Sequence, residues 1–472
     1  MTSTDSPRTH LDPKYRFLER RKTLAARPDG ERLALDIRRH ITSAQTDQLR
    51  TLLHAEYPAD LADAMFFLND AEDKAVFDLL EAAEAAEVLD EVDAQTVCCL
   101  VAGYSPERLA AILRELQPDE ATNIVGALDG ETRERVLALL PEATAIRELL
   151  AYPKESAGGI MTSRFVAVSE TATQAEAVQA FVNAPHAEHQ FYIYARDERG
   201  ALVGVLDLRQ LLRAPASARI GDIMIDQVLH VPPDMDQEQV AHLFSRYDLL
   251  MLPVTEPGTN KLLGVITADD VMDVIAYEGT EDAMRTAGSD AAELERRSPT
   301  HIALLRLPWI MATMFIELLA GVVIHVFDST LTQVILLASF MPIISAISGN
   351  TGLQSATIIV RGLSTGQVRL TRWQVAVLRQ VKTTLILGAA GLVLGVIGAI
   401  WDGKLVFGLV IFVGMFMAVN VAGVVGTVVP LLSKSLGFDP ALTSGPFETA
   451  FQDVVGISIF LSIATAMIKF LL

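Results

Sequence analysis

Beyond residue 300 the chain turns almost wholly apolar, and five stretches there are each long enough to cross roughly 30 Å of hydrocarbon. They lie near Ile302 to Phe327, Thr332 to Val360, Thr383 to Trp401, Leu405 to Leu432 and Phe447 to Leu472. Backbone in lipid must satisfy its own polar groups, so this part is expected to be α-helical. Lys and Arg in short loops then set the orientation, because cytoplasmic loops retain them. Arg361, Arg369, Arg372, Arg379 and Lys382 follow the second stretch and Lys434 follows the fourth, against only Lys404 on the opposite loops. The expectation is a multi-pass protein of the cytoplasmic (inner) membrane with its N-terminus cytoplasmic and its C-terminus outside.

Charge divides the chain at the same place. Residues 301 to 472 hold nine Lys or Arg against six Asp or Glu; since the whole stands at −20, the first 300 carry −23. So acidic a part repels nucleic acid and anionic lipid and suits a cation ligand. At 472 residues the chain also exceeds a single core. The adjacent Cys98 and Cys99 rule out a Cys-x-x-Cys pair and read as small core residues. No apolar stretch follows the first charges, so no cleavable signal peptide is expected.

Within the apolar half, Gly388, Gly391, Gly395 and Gly398 are spaced for close helix packing. Ser348-Gly349-Asn350-Thr351-Gly352-Leu353-Gln354-Ser355 places polar, helix-weakening residues inside a span, tolerable only in protein or beside a wet cavity. Three carboxylates fall in the spans: Glu317, Glu448 and Asp453. Each costs at least about 2.5 kcal/mol at the bilayer centre, so such a group marks a polar path. Asp453 fits that reading best; Glu448, one residue from the interface, is expected to be solvated; Glu317 has the alternative of pairing with a neighbouring helix.

The acidic half has two patterns. From 50 to 150, stripes such as Leu109, Ile112, Leu113 and Leu116 are broken at Pro58, Asn69-Asp70, Ser105-Pro106, Pro118-Asp119, Asp129-Gly130 and Pro141. Breaks so close predict stacked short helices in a superhelix. From 158 to 277 a strand-and-helix pattern repeats. Gly159-Ile160-Met161 recurs as Asp222-Ile223-Met224, and Leu202-Val203-Gly204-Val205-Leu206 as Leu262-Leu263-Gly264-Val265-Ile266. These copies resemble a CBS-domain pair, a regulatory ligand sensor. In the second copy, Thr267 and Asp270 match a ribose-binding Thr-x-x-Asp, which makes ATP a candidate ligand; the first copy has Gln210 at the Asp position. A run of acids follows: Asp269, Asp270, Asp273, Glu278, Glu281, Asp282, Asp290, Glu293 and Glu295. Like charges on one helix face repel, and Mg²⁺, which prefers oxygen ligands, would relieve them.

From about residue 45 to the end, the order of parts resembles the MgtE family of Mg²⁺ channels. The matches are Ser348 through Thr357, Leu436-Gly437-Phe438-Asp439-Pro440-Ala441, and Thr449 to Gly456 around Asp453. The resemblance implies a tail (1–44), an all-α superhelical N domain (45–155), an α+β tandem CBS pair (156–216 and 217–278), a connecting plug helix (279–301) and a five-helix transmembrane pore domain (302–472). It also implies a homodimer in membrane lipid. By that resemblance Asp453 holds hydrated Mg²⁺ at the dimer axis, with Thr449, Gly445 and Asn350 lining the pore. The cytosolic Mg²⁺ ligands fall on Glu238, Asp248, Asp270, Asp273, Glu278, Glu281, Asp282 and Asp439. Leu353 and Gly445 depart from an Asn found in relatives.

The expected function is therefore a Mg²⁺-selective channel mediating uptake, closed when cytosolic Mg²⁺ binds the acids of the N, CBS and plug region. Mg²⁺ would be both substrate and regulator. An alternative is an ion-coupled secondary transporter of Mg²⁺, Co²⁺ or Mn²⁺, coupling through Glu317 or His325. An enzyme is not expected: the chain has no His metal cluster, nucleophile elbow or phosphate loop.

Overall fold

The structure is a computed structural model that describes residues 30–92, 94–184, 191–293 and 299–471. Residues 1–29 of the expected tail and 294–298 of the expected plug helix lie outside them. The chain divides into two compact units, the first ending at Val274 and the second beginning at Ile275.

Among its described residues the first unit begins with ten short helices, from Gly30–Thr42 to Ala143–Leu149. Their starts coincide with the sequence breaks. Pro58, Pro106 and Pro118 each sit in a first turn, where the missing N–H costs nothing. Asn69 caps the helix Asp70–Phe77 in a box with Glu72, and Asp129 accepts from the backbone N–H groups of Glu131 and Thr132. Helices two apart in sequence pack together, with Leu109, Ile112, Leu113 and Leu116 in one continuous core. The helix Gly30–Thr42 belongs to this stack, burying Leu33, Ala34 and Ile37, so that part of the expected tail is a packed element. Cys99 is exposed and Cys98 half-buried, so neither is a core residue as expected; their helix buries Val97 and Leu100 instead.

The CBS pair follows. In the first copy β1 (Ala167–Ser169) runs parallel to β2 (Tyr192–Arg196), which pairs antiparallel with β3 (Leu202–Asp207). In the second, β4 (Met251–Thr255) pairs antiparallel with β5 (Leu262–Thr267). The repeated Leu-Val-Gly-Val and Leu-Leu-Gly-Val segments are thus equivalent strands, β3 and β5. Their sequels differ: β3 leads into a six-residue helix, β5 into the 19-residue helix Ala268–Thr286. No break falls at residue 278.

Among its described residues the second unit carries five helices long and apolar enough to cross a membrane. The first is Pro299–Val326. The second begins at Met341, nine residues later than expected, because short helices at Asp328–Gln333 and Ile335–Ser339 occupy the intervening chain. The third starts at Trp373, ten residues early, and is interrupted at Ala390 between Trp373–Ala389 and Gly391–Asp402. Arg379 and Lys382 therefore lie on a helix and not in a loop. The fourth is Leu405–Ser435, and the fifth is Pro446–Ala466. The second, fourth and fifth pack against one another. The third packs on the fourth through its glycines: a β-carbon on Gly395 would lie 2.7 Å from the Gly408 carbonyl oxygen.

Candidate cation pathway and acidic clusters

The segment from Ser348 to Ser355, expected to weaken its helix, lies within the unbroken helix Met341–Ser364. Its small residues serve closeness. Ser348, Gly349, Gly352 and Ser355 are buried against the fourth and fifth helices. On the fifth helix, Thr449 and Asp453 are one turn apart and share a face. Both stand over Gly349: a β-carbon there would lie 3.3 Å from Thr449 Cγ2 and 3.6 Å from Asp453 Oδ1. Ser345 Oγ donates to Asp453 Oδ1 at 2.6 Å. The Glu317 carboxyl of the first helix lies beside that of Asp453 and is exposed on the chain's own surface. Among the described residues neither has an ion-pair partner. Asn350 is exposed, next to Gly349.

Gly445 stands apart from this face, eight residues before Asp453, where it caps the fifth helix. It is buried beneath the end of the helix Ala268–Thr286: a β-carbon would lie 2.5 Å from the Thr286 carbonyl oxygen. Any side chain at this position would need that contact to open. Glu448 is not solvated as expected. It is only 1% exposed, because its turn faces Gly352, and it accepts from Gln452 Nε2 at 2.9 Å.

Glu281, Asp282 and Asp439 converge in the second unit. The agent of convergence is Arg285, which pairs with both Glu281 and Asp439. Asp282 faces Asp439, Arg361 and Ser364; burial and the Asp439 charge raise its carboxyl above the usual range. The acids read from sequence as an unneutralised row are thus partly neutralised by an arginine, since Arg285 is one turn from Glu281 and reaches Asp439 across 154 residues of chain. Glu278 is half-buried three residues before Glu281.

In the first unit Thr267 Oγ1 donates to Asp270 Oδ2, and Asp119 stands beside them. Asp119, only 6% exposed, is a neighbour of Asp270 that sequence reading missed; it was seen only as part of a helix start. Burial, then the Asp119 charge, pushes Asp270 up to about 8; burial, then Glu120, pushes Asp119 up to about 6. Asp119 Oδ1 is buried with no hydrogen-bond partner among the described residues. Asp273 is exposed on the same helix as Asp270. Glu238 and Asp248 stand at opposite ends of Gln237–Tyr247, about 15 Å apart at 1.5 Å per residue, so one chain does not bring them to one ion. No group of three or more metal-ligating side chains occurs among the described residues.

A stack of short helices, a CBS pair and a helical membrane unit with carboxylates on an intramembrane face define a membrane transport protein with a regulatory portion. Three family models match: the MgtE intracellular N domain over 56–155, CBS domains over 157–217 and 220–277, and one described as a divalent cation transporter over 341–463. The magnesium transporter MgtE of Thermus thermophilus is 35% identical over 447 residues, 93% of this chain and 99% of that protein. The MgtE of Bacillus subtilis is also 35% identical, over 69% of this chain and 73% of its own length. A crystal structure of the cytosolic domain of the Mg²⁺ channel MgtE in complex with ATP is 36% identical and covers 51% of this chain and 99% of its own, with a TM-score of 0.48. The chain belongs to the MgtE family, a family of transporters and not of enzymes.

Proposed function

We propose that this protein is a Mg²⁺-selective channel for Mg²⁺ uptake, working as a homodimer in the cytoplasmic membrane with its N-terminus inside. The observation that carries the reading is the Asp453 face: an intramembrane carboxylate held by Ser345, flanked by Thr449 and Glu317, with no ion-pair partner among the described residues. An acid so placed is costly in hydrocarbon and is retained where cations pass. Mg²⁺ gives up water reluctantly, so paired Asp453 side chains at a dimer axis would hold it largely hydrated. Exposure of Glu317 on the chain's own surface supports the second copy, because a carboxylate is not left facing lipid. Basic residues near the ends of the second, third and fourth spans support the orientation.

Closure follows from the acids. Cytosolic Mg²⁺ would bind Asp270 with Asp119, the linker acids and Asp439, and, between copies, Glu238 and Asp248. That holds the helix Ala268–Thr286 with its end over Gly445 and Pro446, at the start of the fifth membrane helix. Loss of Mg²⁺ leaves the acids to repel and frees that end. The ion shifts the equilibrium only by its preference for the closed state. Thr267 and Asp270 are also offered as an ATP ribose contact on their motif. A second reading, an ion-coupled carrier of divalent cations, is favoured by Glu317 standing beside Asp453; nothing ties His325, two turns further, to that face. The test is Mg²⁺ uptake into proteoliposomes: Asp453→Ala is expected to abolish it, and uptake at the wild-type rate would remove Asp453 from the path.

A further inference from the structure

Basic side chains gather toward one end of the membrane unit: Arg361, Arg369, Arg372, Arg379, Lys382 and Lys434. The sole acid between Asp328 and Asp439 is Asp402, at the far end of the third span. Such a bias orients spans whatever the charges touch. Two of the arginines are placed more closely than that role requires. Arg369 and Arg372 close a single turn, in which the Arg372 N–H donates to the Arg369 carbonyl oxygen at 2.9 Å. The turn is anchored from behind, because the Val368 N–H donates to the Gly362 carbonyl oxygen at 2.7 Å. Both arginines are exposed, and neither has an ion-pair partner among the described residues. Their chain neighbours Leu370 and Trp373 open an apolar cavity of about 310 Å³ against Val428, Leu431, Leu432 and Ser435 of the fourth helix. Leu370, Trp373, Val428 and Leu432 are exposed, and a Trp at the start of a span marks the boundary of headgroup and hydrocarbon. A larger cavity of about 550 Å³ beside the first helix lacks such unmatched charge, because its Arg306 pairs with Glu293.

We propose that the groove between the third and fourth membrane helices binds one anionic phospholipid, with its phosphate on Arg369 and Arg372 and an acyl chain along Trp373, Val428 and Leu432. The assignment rests on the membrane reading above and not on which ion passes. Charge and surroundings together select the occupant. Guanidinium groups match phosphate oxygens in pairs, and apolar walls continuous with the spans admit a chain that a free anion lacks. Basic sites between membrane helices are where acidic headgroups bind. The first and fifth helices, which carry Glu317 and Asp453, contribute no lining residue. A second copy meeting this one at the Asp453 face therefore leaves the groove to lipid. The same stretch of chain presents Arg361 and Ser364 to Asp282, and Ser435 stands four residues before Asp439. A held headgroup thus steadies both segments on which the linker cluster is built.

The test uses tryptophans as reporters and measures no transport, so its failure is separate from failure of the channel reading. The chain has three, Trp309, Trp373 and Trp401. Full-length protein keeping only Trp373 (Trp309→Phe, Trp401→Phe) or only Trp401 (Trp309→Phe, Trp373→Phe) is placed in vesicles of phosphatidylcholine and phosphatidylglycerol. One of the two lipids is brominated on its acyl chains; bromine quenches at close range and so reads which lipid lies beside each ring. Trp401 is the control, because Asp402 and Lys404 balance beside it. At Trp373 the anionic lipid is expected to be preferred by at least about fivefold, as one basic side chain at the surface would confer. At Trp401 neither lipid should be preferred. The preference at Trp373 should vanish in Arg369→Gln/Arg372→Gln and fall in Arg372→Gln alone, which decides should the double variant not fold. Glycerol phosphate in solution should leave the quenching unchanged; displacement by it would mean an anion site without a lipid and would overturn the proposal. Equal binding of the two lipids at Trp373, the same preference at both tryptophans, or a preference that survives loss of the arginines would overturn it too.

Discussion

Two groups of acids in this chain are alike in composition and opposite in surroundings. Around Asp453 in the membrane the near neighbours are Ser345, Thr449 and another carboxylate, Glu317. Around Asp439 and the linker helix, the acids meet Arg285 and Arg361. On the proposed path the membrane face would leave its charge to be matched by the passing ion. The linker cluster has a resident cation that an incoming divalent ion must displace or share. The first arrangement suits conduction, the second a switch with a threshold.

If the membrane face depends on unmatched carboxylates, Glu317→Gln should raise the Mg²⁺ concentration for half-maximal uptake by about tenfold, as loss of one charged contact worth about 1.4 kcal/mol would. Proteoliposome flux at graded Mg²⁺ reads it, and an unchanged half-maximum would confine the path to Asp453. Arg285→Gln should sharpen the contrast from the other side. Without the arginine, Glu281, Asp282 and Asp439 bind Mg²⁺ more tightly and repel more strongly in its absence. Half-closure should move to Mg²⁺ concentrations about threefold to tenfold lower, the range of a weakly buried charge pair. A shift to higher concentrations would mean that Arg285 itself holds the linker closed.

The smallest effect concerns Asp270 in the first unit, whose carboxyl is pushed up to about 8 by burial and by Asp119. An acid raised in the folded state lends stability that is full below its unfolded pKa, 3.8, and is lost as pH rises through about 8. In chelator, the Tm of the wild type should therefore fall between about pH 4 and 8, by a few degrees more than that of Asp270→Asn. Parallel curves would mean that Asp270 keeps its ordinary titration.

What was legible in the sequence is what depends on local pattern. The spans follow from apolar length, the helix starts from Pro58, Asn69, Pro106 and Asp129, and the CBS repeat from the matching β3 and β5 segments. Asp453 showed itself because a carboxylate in an apolar helix is a mismatch in one dimension. The misses share a cause, contacts made across long stretches of chain. Arg285 reaches Asp439, Gly352 receives Glu448, and Asp119 meets Asp270; no periodicity in one helix announces these. Glu448 looked solvated because its position in its own helix is near an end, whereas its burial is decided by the second and fourth helices. The late start of the second span was hidden because the short helix just before it, Ile335–Ser339, is as apolar as a membrane helix.

The central claim is a Mg²⁺ path closed by Mg²⁺ on the linker side. The most direct measurement is patch recording of the full-length protein in a bilayer, with Mg²⁺ as the permeant cation. The account predicts unitary currents that reverse at the Mg²⁺ equilibrium potential and vanish as Mg²⁺ is raised on the face bearing the first unit. Flux locked to a counter-ion in fixed stoichiometry, or currents indifferent to Mg²⁺ on that face, would contradict it.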